Sequence, residues 1–482
     1  MSLQPHVRDH TPERDEPLTQ DAAFAAFQRA YPEYATTNKL DSLRLTDYAR
    51  LDRERHTYLD YTGGGLYADS QLQQHMDILR GEVFGNPHSQ NLTSMAMTHL
   101  VEETREYILK YFNASPDEYM VIFTPNATGA LKLVGEAYPF GEGGHYALTF
   151  DNHNSVNGIR EFARAKGAEI SYIPVLAPYL RTDGAALAAT LKMAKPQTHN
   201  LFAYPAQSNF SGVQHPLEWI ETAHEQGWDV LLDAAAFAPS NRLDLSQWHP
   251  DFVSLSFYKI FGYPTGVGCL IARKAVAHKL HRPWYAGGTI SFSSVRALDF
   301  YLTPGSAGFE DGTVNYLSIP AVKIGLQFIE SIGIETIHKR VMCLTGWLMD
   351  QLLQLRHSNG KPLIQLYGPP DLDARGSTVQ VNFFDVQGNL IDSTTVEHMA
   401  SMQRISLRAG CHCNPGTREV ALNFSEDEMR SCFRDKESIS YEQFLHVIDS
   451  KLTGALRASI GLATNFADVY RYLEFAREFK DK

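Results

Sequence analysis

The stretch LLDAAAFAPSNRLDLSQWHPDFVSLSFYKIFGYPTGVG, residues 231–268, decides the fold class. An apolar run, Val230-Leu231-Leu232, ends on Asp233, and a second, Phe252-Val253-Ser254-Leu255-Ser256, runs into Phe257-Tyr258-Lys259. Gly262, Pro264, Gly266 and Gly268 then impose turns. Short apolar runs bounded by turn signals read as buried strands. A carboxylate and an amine are therefore each delivered at a strand's C-terminal end, the edge at which open parallel sheets bind ligands.

The pair has a chemical meaning. Lys259 stands among Phe257, Tyr258, Ile260 and Phe261 with no acidic neighbour in sequence, so its amine is expected to lose hydration. Desolvation lowers a lysine pKa and makes the amine a nucleophile toward an aldehyde. An aspartate on the neighbouring strand can ion-pair with a protonated ring nitrogen, the arrangement through which pyridoxal phosphate (PLP) acts as an electron sink. On these two residues alone, a helix-capping Asp233 and a surface Lys259 fit at least as well.

The chain has 482 residues, 44% hydrophobic and 20% charged, which suits an ordinary enzyme of two or three domains. Its 43 basic and 55 acidic residues give a net charge of −12, against nucleic acid or an anionic membrane as main partner. No apolar run is long enough for a bilayer span. The polar N-terminus, MSLQPHVRDHTPERDEPLTQ, does not read as a secretory signal, so the expected compartment is the cytosol. Five cysteines are too few for a disulfide framework.

Outward from the opening stretch, strands and helices alternate. Residues 1 to about 20 are expected to be disordered, and DAAFAAFQRAYPEY (21–34) to be a helix with Asp21 as N-cap. YLDYTGGGL (58–66) is a short strand running into three glycines. YMVIFT (119–124) is a buried strand followed by the helix PNATGALKLVGEAY, whose first turn, with Ala127 and Thr128, suits a phosphate as well as a simple cap. HYALTF, EISYIPV and NLFAYPAQSNFSG supply further strands, so the N-terminal part reads as an α/β domain with a mostly parallel sheet. Its binding edge would collect Thr128, His153, Asn209, Asp233 and Lys259. After Lys274 the pattern loosens, and residues 317–333 and 334–358 read as helices. The expected division is an N-terminal arm (1–45), a large domain (46–314) and a smaller α+β C-terminal domain (315–482).

Taken together, YLDYTGGGLYADSQ, GNPHSQN, FTPNATGALKLVGEA, DNHNSVNGIR, YPAQSNFSGV, LLDAAAFAPSNRLDLS, FVSLSFYKIFGYPTGVG, FEDGTVN and LRAGCHCNPG resemble, in order, the motifs of a class V, fold type I PLP enzyme of the cysteine desulfurase group. The resemblance is greatest to the PLP domain of molybdenum cofactor sulfurases. It implies that Lys259 holds PLP through its amine, that Asp233 pairs with the ring nitrogen, and that Ala235 packs under the ring. His153 would stack on the other face and move protons, and Asn209 would bond the ring hydroxyl. Ala127, Thr128, Ser256 and Tyr258 would hold the phosphate, with Thr313 from the other subunit of a homodimer. Arg457 would clamp the substrate carboxylate, with Arg408 beside the cysteine loop. Two departures stand out: Ala236 and Tyr258 occupy positions where ordinary desulfurases have Gln and His.

The loop Arg408-Ala409-Gly410-Cys411-His412-Cys413-Asn414 carries two thiols. A nucleophilic cysteine needs an electropositive setting, expected here from Arg408 and His412. By the resemblance, Cys413 takes sulfur from L-cysteine, leaving L-alanine and a persulfide for an acceptor, either the molybdenum cofactor or a carrier protein. Metal ligation by Cys411-His412-Cys413, a strained disulfide and two inert thiols are competing readings of the same loop. The relatives carry a further C-terminal domain, which a chain ending at Lys482 is expected to lack. A C–S lyase acting by β-elimination on a cysteine derivative and a non-catalytic interaction module are the other functions considered.

Overall fold

The computed structural model describes residues 19–433 and 454–482. Seven strands form the central sheet, in the order Tyr119–Thr124, Gly268–Arg273, Phe252–Ser256, Asp229–Asp233, Asn200–Pro205, His145–Thr149, Glu169–Ile173. Only Gly268–Arg273 runs antiparallel to its neighbours; the other contacts are parallel. The apolar runs that open the sequence reading are the middle of this sheet. Every residue of Phe252–Ser256 is buried, as expected of a strand covered on both faces. Each fully buried Leu, Val or Phe there contributes about 1.5–3 kcal/mol.

A second sheet is antiparallel, in the order Ile364–Tyr367, Thr378–Phe384, Ala455–Ser459, Arg408–Gly410, with Leu390–Ile391 on the side of Thr378–Phe384. Two helices link the sheets. Pro320–Ile332 starts with proline at its first turn and stops at Gly333, whose φ of +85° suits a residue without Cβ. Ile334–Gln354 follows directly and ends four residues short of the 334–358 expectation. The mixed α/β architecture matches the expected fold class.

Three local expectations change. The first helix is Gln20–Ala30 and is capped by Thr19, whose hydroxyl accepts from Ala22 N–H, so Asp21 is a first-turn acid and not the cap. Residues 290–302 hold an antiparallel pair, Ile290–Ser294 with Asp299–Leu302, where the sequence pattern had seemed to loosen. The disorder expected for residues 1 to about 20 falls almost wholly outside the described residues. The N-terminal helix packs on its own chain: Phe27 is buried against Phe466 and Trp347, and Arg340 holds Asp41 through two 2.6 Å contacts. Among the described residues no helix is long and apolar enough to cross a membrane.

Candidate active site

The C-terminal edge of the central sheet opens into a cavity of about 150 Å³ lined by Ala127, Thr128, His153, Asn209, Asp233, Ala235, Ser256, Tyr258 and Lys259, together with Asn126, Ser155, Gln207 and Ala236 among others. Nine residues singled out from the sequence thus share one cavity. Thr313 is not among them: it is exposed and lines a neighbouring cavity with Phe123 and Lys132. Cys413, Arg408 and Arg457 do not line it either, but their charges act on the Lys259 amine.

Asp233 ends its strand buried, and its Oδ1 accepts from Ala235 N–H at 3.1 Å and from the Ser254 hydroxyl at 3.0 Å. Both bonds go to one oxygen, which leaves Oδ2 for whatever occupies the cavity. Lys259 lies in a one-turn helix, Phe257–Phe261, stopped by Gly262 at φ +81°. A Cβ on Gly262 would stand 2.2 Å from the Tyr67 nitrogen, and one on Gly65 would stand 2.9 Å from the Lys259 carbonyl oxygen. The glycine run of YLDYTGGGL is there to let this backbone pass against the lysine turn. Burial pushes the Lys259 amine below its ordinary pKa; Asp233 opposes that shift, and Arg457 adds to it.

The helix Ala127–Ala137 points its N-terminus into the cavity, with Asn126 as cap and Gly129 N–H donating to it at 3.0 Å. Ser256 satisfies the Ala127 N–H at 2.8 Å, so this hydroxyl fixes the helix start. The Thr128 and Ser155 hydroxyls stand 2.8 Å apart. His153 caps its own helical turn: Nδ1 accepts from Ser155 N–H at 3.1 Å, which places the proton of the neutral ring on Nε2. Burial lowers the His153 pKa, against the attraction of Asp233.

The cysteine loop is fastened to this edge by several bonds, among them one from Asn414 Nδ2 to the Asp151 carbonyl at 2.7 Å. Asn154 N–H donates to the Cys413 carbonyl at 2.7 Å, Asn209 Nδ2 to the His412 carbonyl at 2.7 Å, and Asn414 Nδ2 to Asn209 Oδ1 at 2.9 Å. His412 and Cys413 both adopt positive φ, 53° and 56°, a backbone that this bonding must hold in place. Cys413 is exposed, and Cys411 is half-buried. The role expected of His412 is corrected: its ring is buried beside Gln380, 3.0 Å away, and burial with Arg457 holds it well below its ordinary pKa. It is neutral and gives the thiol no positive charge. Among the described residues no cluster of three or more His, Cys, Asp or Glu has a metal-holding arrangement.

Arg457 is 3% exposed, and its two terminal nitrogens are engaged: Nη2 donates to Asp60 Oδ1 at 3.0 Å and Nη1 to the Asn209 carbonyl at 3.1 Å. Arg408 places Nε and Nη2 on the same Asp60 carboxylate, at 3.0 and 2.6 Å to Oδ2.

The profile of the aminotransferase class-V family matches residues 57–472. The chain belongs to that family. Molybdenum cofactor sulfurases of Arabidopsis thaliana and Bos taurus are 35% and 36% identical to it over 90% of its length, covering 57% and 51% of their own. This class-V chain therefore spans about half the length of the curated relatives it matches. An apo cysteine desulfurase from Thermococcus onnurineus NA1 has the same fold, with a TM-score of 0.74 and 23% identity over 91% of this chain and 97% of that one.

PLP is the cofactor of the class-V family, and the residues present fit it. The carboxylate with an unspent oxygen suits a ring nitrogen, the helix N-terminus with the paired Thr128 and Ser155 hydroxyls suits a phosphate, and the desolvated amine suits the aldehyde. Ser155, Gln207 and Asp60 were missed from sequence. Ser155 lies two residues past His153 and could have been found as the polar partner of a capping histidine. Gln207 and Asp60 gave no local signal.

Proposed function

We infer that this chain is a cysteine desulfurase that uses PLP to convert L-cysteine to L-alanine and passes the sulfur on from Cys413. The observation that carries this reading is the bond from Asn154 N–H to the Cys413 carbonyl, which ties the exposed thiol's residue to the residue beside His153. A lyase needs no thiol there. PLP supplies the electron sink that acidifies the substrate's Cα. Lys259 holds the cofactor and, with His153, moves the proton from Cα toward Cβ; burial lowers the pKa of both groups, which favours the neutral form that a proton acceptor requires. Asp233 pairs with the ring nitrogen, with Ala235 under the ring and Asn209 at the ring hydroxyl. Ala127, Thr128, Ser256 and Tyr258 take the phosphate, joined by Thr313 of a second copy in a homodimer. Arg457 receives the substrate carboxylate, with Arg408 beside it.

The balance is simple: the substrate C–S bond breaks, an S–S bond forms on Cys413, and Cβ gains a proton. The products are L-alanine and a persulfide. The acceptor is read as the molybdenum cofactor or a carrier protein, in line with the names of the sulfurases it resembles. The reading divides the chain into an arm (1–45), a large PLP-binding domain (46–314) and a small domain (315–482) that carries the cysteine loop, and it places the enzyme in the cytosol. Product analysis with L-cysteine tests it. Alanine is expected, and Cys413→Ala is expected to abolish its formation while the cofactor's visible absorbance stays. Pyruvate and sulfide, unaffected by Cys413→Ala, would establish a C–S lyase instead.

A further inference from the structure

Asp60 has no part in the chemistry described so far, yet it is the hub of the charged cluster beside the cavity. Its carboxylate is only 7% exposed and accepts from two guanidinium groups, Arg457 at 3.0 Å and Arg408 at 2.6 Å. Gly63 makes the arrangement possible, since a Cβ there would stand 2.6 Å from Asp60 Oδ2 and 2.7 Å from Arg408 Nη2. Arg457 spends Nη1 on the Asn209 carbonyl and Nη2 on Asp60, while its buried Nε has no partner. A carboxylate ligand takes an arginine best through two parallel N–H donors. Either edge that a ligand would fork includes Nη2, which already spends one of its two N–H groups on Asp60, so a ligand carboxylate shares this guanidinium with a second anion. Arg408, half exposed and on the strand leading to the cysteine loop, can keep Asp60 on its own.

We propose that Asp60 is an internal competitor for the carboxylate site, holding part of Arg457 and placing a second anion beside any amino-acid ligand that binds there. This inference rests on reading Arg457 as the carboxylate-binding residue. Asp60 acts through Arg457 and sets affinity; it is not a catalytic residue. It lowers the gain from any carboxylate, L-cysteine and L-alanine alike, and so keeps amino-acid binding at this site weak. The direction of its effect separates it from a merely structural anchor, because losing an anchor weakens ligand binding and losing a competitor strengthens it.

The test titrates PLP-loaded enzyme with L-alanine and follows the cofactor's visible absorbance, a readout independent of any sulfur chemistry. Asp60→Asn, which keeps the shape and removes the charge, is expected to bind L-alanine at least about threefold more tightly, since one anion is removed next to an anionic ligand. Unchanged or weaker binding overturns the proposal. Arg457→Gln in parallel checks the premise. If it leaves L-alanine binding unchanged, Arg457 is not the carboxylate site and both readings fall; if it weakens binding and Asp60→Asn does not strengthen it, only the competitor falls. Should Asp60→Asn not fold, wild-type enzyme decides by comparing L-alanine with ethylamine, each counted as free amine. A preference for the carboxylate below about tenfold supports competition, whereas a larger one, the range of an uncontested charge-assisted pair, overturns it.

Discussion

The floor of the cavity and the loop that carries the cysteines are built in opposite ways. Asp233 ends one largely buried strand and Lys259 lies in the helical turn directly after its fully buried neighbour, so their positions follow from sheet register. Cys413 stands on backbone of positive φ, held by hydrogen bonds from Asn154, Asn209 and Asn414 to residues more than 200 positions away in sequence. The contrast teaches a division of labour. The groups that must not move are placed by packing, which is rigid. The group that must accept a sulfur and hand it on is placed by a few separable bonds.

Breaking the floor is expected to have the largest effect. Lys259→Ala should lower turnover by about a thousandfold or more, since it removes both the cofactor's attachment and a base. Absorbance spectra of the variant should lack the band of lysine-bound cofactor. A normal spectrum would show that the amine does not reach the cofactor. The loop should respond more mildly. Asn209→Ala removes two of its fastenings, each worth roughly 1 kcal/mol, so persulfide formation should fall by about thirtyfold, with smaller change in cofactor affinity. Equal losses in both would erase the distinction between floor and loop.

The smallest effect is one of pH. His412 is buried with a folded-state pKa well below the 6.5 of an unfolded histidine. Between those two values the unfolded chain binds a proton that the folded chain does not, so stability rises with pH there and falls on acidification below about pH 6.5. The slope from this one group is at most about 1.4 kcal/mol per pH unit. Thermal unfolding between pH 5 and 7.5 should show it, and His412→Gln should flatten the curve. An unchanged curve would mean that the ring takes up its proton without leaving its place.

Most of the floor was legible in the sequence because its signals are local. An apolar run ending on a charged residue marks Asp233 and Lys259, and an Asn-Ala-Thr-Gly turn after a strand marks Thr128. The class-V motifs then bring in His153 and Asn209. What stayed hidden depends on long-range pairing. Asp60 meets Arg408 across 348 positions, and nothing in YLDYTGGGL says which cation it will find. His412 was misread for a related reason: its charge depends on burial, and a turn-rich polar loop gives no sign of being covered. The Ile290–Ser294 and Asp299–Leu302 pair escaped because it exposes Phe292, Val295, Leu298 and Tyr301, so no buried face shaped its pattern.

The single reversed strand, Gly268–Arg273, has a consequence for how the protein comes to be. It wedges between the strand leading to the phosphate turn and the strand leading to Lys259, and its Gly268 allows Asn126 Cα to come within 2.6 Å of where a Cβ would be. Within the sheet the two strands are joined only through this segment, about 150 residues downstream of the first. Such non-local pairing is slow because the long intervening loop must close first. During synthesis this edge of the sheet can be completed only after the chain has been made through Arg273.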